Sequence, residues 1–406
     1  ENALTVLHAG KVLAVPGKAA ISEASVMIKD GKVVGVEKGY TTPEGAEVID
    51  LKDKFVMPGL MDMHVHLQGQ RSTDGPATTL TYSSEDLGMR SAMFARRTLM
   101  AGFTTVRDLG AASPQHIYAL KRAVDRGWVV GPRIIASAGT SPTGSHADVD
   151  GIRHELLDVF TSKTICDGPY ECRAAVREGV KYGANVIKIT ATGGVLSDTD
   201  TGTGQQMRDD ELNEIVKTAH SLGRRVAAHA HAAEGINAAL RAGVDSIEHG
   251  SYADAETIKL MKEKGAYFVP TLLAGATVVE VAKNGGFTSP DITAKALRVG
   301  SDMAEHFAAA YKAGVNVAYG TDSGVSDHGD NAKEGPLMVA AGMKPMEVLV
   351  AATVSAAKLA DMSDTLGTLE AGKFADIVAF EGDPTQDINA MLSASFVMKG
   401  GKVVKL

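Results

Sequence analysis

The sequence predicts an α/β protein: a (β/α)8 TIM barrel beside a small β-sandwich formed from both termini. Two patterns carry this expectation. From Val56 onward, apolar strand, loop and amphipathic helix recur over about 300 residues, the signature of parallel β/α units that close on themselves. At both ends the chain instead reads as short alternating strands parted by Gly, Asp and Pro turns. The length of 406 residues agrees, being too long for one small domain and too short for three ordinary ones. The sandwich is assigned to residues 1–55 and 362–406 and the barrel to residues 56–361.

Element by element, the N-terminal strands are expected at Leu4 to His8, Lys11 to Ala14, Ala24 to Lys29, Val33 to Glu37 and Glu47 to Leu51. The barrel strands are expected at Pro58 to Leu67, Thr104 to Leu109, Arg133 to Ser137, Asn185 to Thr190, Arg225 to His231, Ser246 to His249, Tyr267 to Leu272 and Asn316 to Thr321. Apolar residues at i, i+3 and i+4 place helices at Asp209 to Leu222, Gly235 to Ala242 and Ala255 to Lys264, the last stopped by Gly265, and at Pro345 to Ala360. The stretch from Ala276 to Phe307 is long for a β/α connection and contains Asn284-Gly-Gly-Phe287, so it is expected to act as a lid over the mouth. Strands return at Ala375 to Phe380, Ser395 to Lys399 and Lys402 to Leu406.

Hydrophobic content of 44% and charged content of 22% are enough to bury a sizeable core, which excludes disorder and collagen-like structure. No apolar run reaches the roughly 18 residues of a membrane helix, so no membrane partner is expected. The 41 basic residues against 49 acidic ones give a net charge of −8 without like-charged blocks, which argues against nucleic acid and toward small-molecule chemistry. Cys166 and Cys172 flank a Gly-Pro loop that could close a local disulfide, or they are two free thiols. The chain opens on Glu1 without a charged-then-apolar leader, which fits a cytoplasmic chain or one exported, periplasmic or secreted, after signal removal. Localisation stays open.

In such a barrel the catalytic groups sit where strands end at the C-terminal face, so the residues there are the informative test. The first strand ends Asp62-Met-His64-Val-His66, the fourth carries Lys188, the fifth ends His229-Ala-His231, the sixth Glu248-His249 and the eighth Thr321-Asp322. Alternation along a strand turns His64 and His66 to one side, and likewise His229 and His231, and paired imidazoles chelate divalent transition metals well. One His-x-His is weak evidence, since buried histidines often only satisfy hydrogen bonds. Five strand ends offering His, Lys or Asp together point to a metal site. An ammonium at Lys188 facing cations would be driven toward the neutral amine, which can add CO2 to give a carbamate that bridges two metals. The alternative is a lysine that snorkels or binds a substrate carboxylate.

At this point the chain resembles the amidohydrolase superfamily, in its imidazolonepropionase-related branch of metal-dependent dipeptidases and carboxypeptidases. The likeness rests on Met57-Pro-Gly-Leu-Met-Asp-Met-His64-Val-His66, Ala101-Gly-Phe-Thr-Thr-Val-Arg107-Asp, Val186-Ile-Lys188-Ile-Thr, Val226-Ala-Ala-His229-Ala-His231, Ser246-Ile-Glu-His249, Tyr319-Gly-Thr-Asp322 and the closing Ala371-Gly-Lys-Phe-Ala-Asp376, nearly the whole chain. The resemblance implies two divalent ions, zinc being expected, with His64, His66 and Asp322 on the more buried one, His229 and His249 on the other, and carboxylated Lys188 between them. Water would be the nucleophile, and Asp322 would take its proton and pass it to the leaving amine. His146, in Thr143-Gly-Ser-His146, resembles the histidine that donates to the developing oxyanion in related peptidases.

His231 stands where relatives carry Tyr, at the position used for the α-carboxylate of the departing residue; His231 rather than His229 as metal ligand is the alternative. Arg107 and His328 are lesser candidates for carboxylate or supporting contacts, or ion pairs at the barrel rim. Relatives that remove Arg or Lys place an acid just past the seventh strand, whereas Phe268-Val-Pro-Thr-Leu-Leu-Ala-Gly-Ala276 is uncharged here, so an apolar, aromatic or Pro departing residue is expected. The expected activity is hydrolysis of dipeptides or N-acyl-L-amino acids, ochratoxin-type amides included. The alternatives are a deaminase or cyclic-amide hydrolase acting on a heterocycle, usually with one metal, and a barrel that has lost its site. By analogy with related enzymes a homo-oligomer, up to an octamer, is expected.

Overall fold

The computed structural model describes residues 4–71, 80–110, 114–150, 152–161, 164–197 and 202–406; Glu1 lies outside them. Strands β1 (Thr5–Val12), β2 (Ile21–Lys29), β3 (Lys32–Lys38) and β4 (Glu47–Pro58) open the chain. The barrel strands follow as β5 (Leu60–Val65), β6 (Phe103–Asp108), β7 (Arg133–Thr140), β8 (Val186–Thr190), β9 (Arg225–Ala230), β10 (Ser246–His249), β11 (Tyr267–Val269) and β12 (Asn316–Val317). The chain closes with β13 (Ile377–Phe380), β14 (Ala394–Lys399) and β15 (Lys402–Lys405).

The seven terminal strands form one mixed sheet in the order β15-β14-β13-β4-β1-β2-β3. It folds back on itself, because the Val33 N–H donates to Lys373 O at 2.9 Å and the Ala375 N–H to Gly31 O at 2.9 Å, which brings the β2–β3 hairpin against the segment before β13. Leu7, Val26, Ile28, Ile377, Phe396 and Met398 fill the space between, and both termini thereby share one sandwich core. Gly10 does not break the first strand as expected. It marks a bulge, where the register against β4 shifts between Ala9 and Lys11 and a Cβ would lie 2.3 Å from the Lys52 carbonyl oxygen.

β5 to β12 run parallel in sequence order. The circle is closed by the segment after β12: the Met63 N–H donates to Tyr319 O at 2.8 Å and the Asp322 N–H to His64 O at 2.7 Å. β12 is thus shorter than expected, its continuation joined to β5 by single bonds, and β11 ends at Val269 because Pro270 and a left-handed Thr271 (φ 50°) stop it. The expected helix Ala255–Lys264 is present, with Asp254 accepting the Thr257 N–H at its start and a left-handed Gly265 (φ 68°) at its end. The single helix expected over 345–360 is interrupted by a π-helical stretch, Ala351–Ser355.

The stretch from 276 to 307, expected as a lid, lies in a helical hairpin, Leu272–Lys283 and Pro290–Lys312, whose long helix starts on a Ser289 cap followed by Pro290. It still reaches the barrel mouth: Phe287 stacks under the Arg71 guanidinium and Lys295 Nζ donates to Ser197 O at 2.7 Å. Cys166 and Cys172 are joined in a disulfide rather than free, tying the loop after β7 to the first turn of helix Pro169–Tyr182. No helix among the described residues is long and apolar enough to cross a membrane.

Candidate active site

The ends of β5, β8, β9 and β10 and the turn after β12 bring the sequence-predicted donors together. His64 Nε2 lies 3.3 Å from His66 Nε2 and 3.3 Å from Asp322 Oδ1, and His66 Nε2 lies 3.0 Å from the same oxygen. Donors held about 2.0 Å from one tetrahedral ion stand about 3.3 Å from each other, so this trio has the spacing of a shared cation. One donor atom each from His64, His249 and Asp322 lies within 4.8 Å of the others.

Six imidazoles form a continuous cluster. Ring centroids lie 5.1 Å apart for His64 and His249, 4.8 Å for His229 and His249, 4.7 Å for His229 and His231, and 4.3 Å for His146 stacked on His229. Burial, then the positive neighbours, hold His146 down at about 4, and burial with the His146 ring holds His231 down at about 3. Burial also pushes His229 and His249 well below the usual imidazole range. Neutral imidazoles are the form that binds metal. Asp322 goes the other way. Burial raises its carboxyl, but His64 and His66 overcome that and hold it well below the carboxylate range.

Each ring has one nitrogen committed and one available. His64 Nδ1 meets Glu248 Oε2 at 2.9 Å, His66 Nδ1 donates to Gly110 O at 2.8 Å, His249 Nδ1 meets Thr271 Oγ1 at 2.7 Å and His231 Nδ1 meets Ser251 Oγ at 2.6 Å. His229 is reversed: its Nε2 donates to Gly193 O at 3.3 Å, leaving Nδ1. Such outer partners fix tautomer and ring orientation in metal sites. Lys188 is buried with a single long bond, 3.5 Å to Leu109 O, and has no ion pair among the described residues. Burial pulls its ammonium pKa down. His146 Nδ1 is held by Ser197 Oγ at 2.5 Å, and Gly194 must be glycine, since a Cβ there would lie 2.1 Å from that nitrogen.

Arg107 and His328 are both buried behind the donor cluster rather than open at the mouth. Arg107 is almost wholly buried and spent on Met63 O at 2.7 Å and Glu248 Oε1 at 2.8 Å. His328 stacks on Phe94 and donates to Gly69 O at 2.8 Å. Of the alternatives open for them, Arg107 makes the supporting contact, reaching His64 through Glu248, and neither side chain is exposed to meet a substrate carboxylate.

The sequence reading passed over Glu248, Asp62 and Thr271 as site residues. Asp62 accepts from the His64 and Thr321 N–H groups and from Thr321 Oγ1 at 2.6 Å, bolting the first strand end to the last. Its signal was available, since Asp62 stands two residues before His64 on β5 and strand alternation predicts a common side for the two. Glu248 and His249 are adjacent, and alternation would send them opposite ways. A left-handed His249 (φ 73°) lets both reach His64, and Thr271 (φ 50°) and Asp322 (φ 60°) share that conformation. Three of the six left-handed non-glycine residues among those described thus meet at this mouth, and such strain clusters at functional sites.

The amidohydrolase family model matches residues 55–404. Over its full length the chain is 33% identical to ochratoxinase from Aspergillus niger, covering 87% of that protein. It superposes with a TM-score of 0.94 and 38% identity on a solved Xaa-Pro dipeptidase with bound methionine in its active site, both chains covered in full. On a prolidase complexed with N-methylphosphonate-L-proline the values are 0.89 and 31%, with 99% of each chain covered. With this ancestry and this donor cluster, the chain belongs to the amidohydrolase family and is a hydrolase of amide or peptide bonds.

Proposed function

We propose that the chain is a binuclear metal-dependent amidase of carboxypeptidase or dipeptidase type, releasing an apolar, aromatic or proline residue from dipeptides or N-acyl-L-amino acids, ochratoxin-type N-acyl-phenylalanine included. The carrying observation is the uncharged segment beside the donor cluster: Thr271 Oγ1 meets His249 Nδ1 at 2.7 Å, and Leu272, Leu273 and Ala274 directly after it are buried and apolar. A guanidinium or ammonium would be left unpaired there. The relatives named for ochratoxin, for Xaa-Pro dipeptides and for a proline phosphonate support the same class of departing residue.

His64, His66 and Asp322 would hold one ion, His229 and His249 the other, with carboxylated Lys188 between them. Zinc is the expected metal, and such a pair lowers the pKa of water and polarises a carbonyl. Asp322 moves the proton from the attacking water to the leaving amine. His146, fixed through Ser197, offers its Nε2–H to the carbonyl oxygen and stays neutral while doing so. His231, fixed through Ser251, offers its Nε2–H to the α-carboxylate.

The same reading includes a closed homo-oligomer, supported by Met89 and Met93, exposed one turn apart on helix Ser84–Met100 and checked by light scattering. It also includes the exported of the two locations, supported by the disulfide. The test is release of free amino acid from N-acetyl-phenylalanine, N-acetyl-leucine and N-acetyl-proline by protein loaded with zinc and bicarbonate. Two metals per chain and loss on chelation are expected. Inactivity of the loaded protein on all three, or ammonia release from a heterocycle with one metal per chain, would end the reading.

A further inference from the structure

Helix Leu272–Lys283 begins without a cap of its own. Thr271 occupies the N-cap position but makes no side-chain cap bond, because its hydroxyl is turned to His249 Nδ1 at 2.7 Å. A helix start leaves up to four N–H groups without intrahelical acceptors, and burying them unpaired is costly. The first two are satisfied from far away in sequence. Glu334 Oε1 accepts the Leu272 N–H at 2.8 Å and Oε2 the Leu273 N–H at 2.6 Å. Glu334 is completely buried, at the head of helix Glu334–Ala340. That helix follows Asn331, whose side chain donates to Asp62 at 2.8 Å behind His64.

The structure assigns Glu334 as a positioning residue that sets the wall of the pocket for the departing side chain, supplying the cap that Thr271 gives up in order to orient His249. A short threonine cannot both hold a ligand imidazole and cap its helix, so a carboxyl group from another segment takes the capping task. The two amides it fixes belong to Leu272 and Leu273, so Glu334 governs how firmly that apolar wall stands. This rests on the functional reading above, since the wall matters to specificity only if the departing residue seats against it.

The experiment compares wild type with Glu334→Gln, whose amide nitrogen cannot accept and so loses one of the two bonds. KM for N-acetyl-phenylalanine and N-acetyl-proline is expected to rise about tenfold, with kcat within about twofold and KM for N-acetyl-glycine unchanged, because glycine has no side chain to seat. Amide exchange over residues 268–280, read by mass spectrometry, is expected to speed up about tenfold. Equal losses on all three substrates, or unchanged exchange in a folded variant, would overturn the assignment. Should Glu334→Gln not fold, Glu334→Asp shortens the reach to both amides and carries the same two readouts. A wild type inert on every N-acyl amino acid would end the functional reading instead, and the exchange comparison would still decide the capping role.

Discussion

Glu248 joins His64 to Arg107: its Oε2 lies 2.9 Å from His64 Nδ1 and its Oε1 2.8 Å from Arg107 Nη2, with none of the side chain exposed. Burial raises the Glu248 carboxyl, but Arg107 and then His64 outweigh it and hold the group below its ordinary value. An anionic Glu248 requires a proton of His64 on Nδ1, so Nε2 is the nitrogen turned to Asp322, 3.3 Å from its Oδ1. Glu248→Gln is therefore expected to weaken zinc binding about 10- to 100-fold in chelator competition. It also leaves Arg107 buried without its counter-charge, and urea denaturation of the metal-free protein should show a loss of about 3 to 5 kcal/mol. Wild-type zinc affinity in the variant would count against this role.

The two histidines of β9 and the residue after it are expected to separate cleanly on substitution. His229 has Nδ1 available with Nε2 tied to Gly193 O, whereas His231 has its Nδ1 tied to Ser251. His229→Ala should bind one fewer metal per chain and lose activity, while His231→Ala should keep both metals and show a higher KM with a smaller change in kcat. Elemental analysis of the two variants checks this, and metal loss in His231→Ala alone would exchange the two assignments.

These residues also show how much was legible in the chain. His64, Lys188 and His229 lie on barrel strands with His66 one residue beyond β5, and strand periodicity is a local property that a sequence displays directly; Asp322 follows the short β12 in the turn that closes the barrel. Glu248 and Thr271 were not legible, because their contacts depend on left-handed backbone at His249 and Thr271, which neither residue type advertises. Glu334 was out of reach for a different reason: its partners are Leu272 and Leu273, 62 and 61 residues away, and only the closed barrel brings them together. In the sandwich, Gly10 reads as a turn because glycine punctuates turns and bulges alike, whereas here it makes room for the Lys52 carbonyl at a bulge.

The Cys166–Cys172 disulfide closes a short loop with a sequence separation of 6. Loop-closure entropy for so few residues predicts a contribution of about 2 kcal/mol. The loop it anchors also holds Asp167, which accepts from the Thr143 hydroxyl at 2.6 Å, three residues before His146. Cys166→Ser with Cys172→Ser is thus expected to lower stability by about 2 kcal/mol in urea denaturation. Reduced wild type should match the double variant, and a reduced protein as stable as the oxidised one would contradict the assignment.

Glu334 makes a pH prediction whose sign is fixed by its surroundings. Burial pushes its carboxyl up to about 8, against the downward pull of the Leu273 and Leu272 amides. Its folded-state value thus lies above the ordinary 4.5, so between those two values the folded chain binds more protons than the unfolded one. Stability from this group is then fully present below the unfolded value and is lost as pH rises through about 8. The span corresponds to a few kcal/mol, on the order of 1.4 kcal/mol per pH unit. Wild type should accordingly lose stability relative to Glu334→Gln between pH 5 and pH 8, since the glutamine does not titrate. Urea denaturation of both metal-free proteins at the two pH values gives the difference directly, and a gap that stays constant, or widens in favour of wild type at pH 8, would show that Glu334 is ionised throughout.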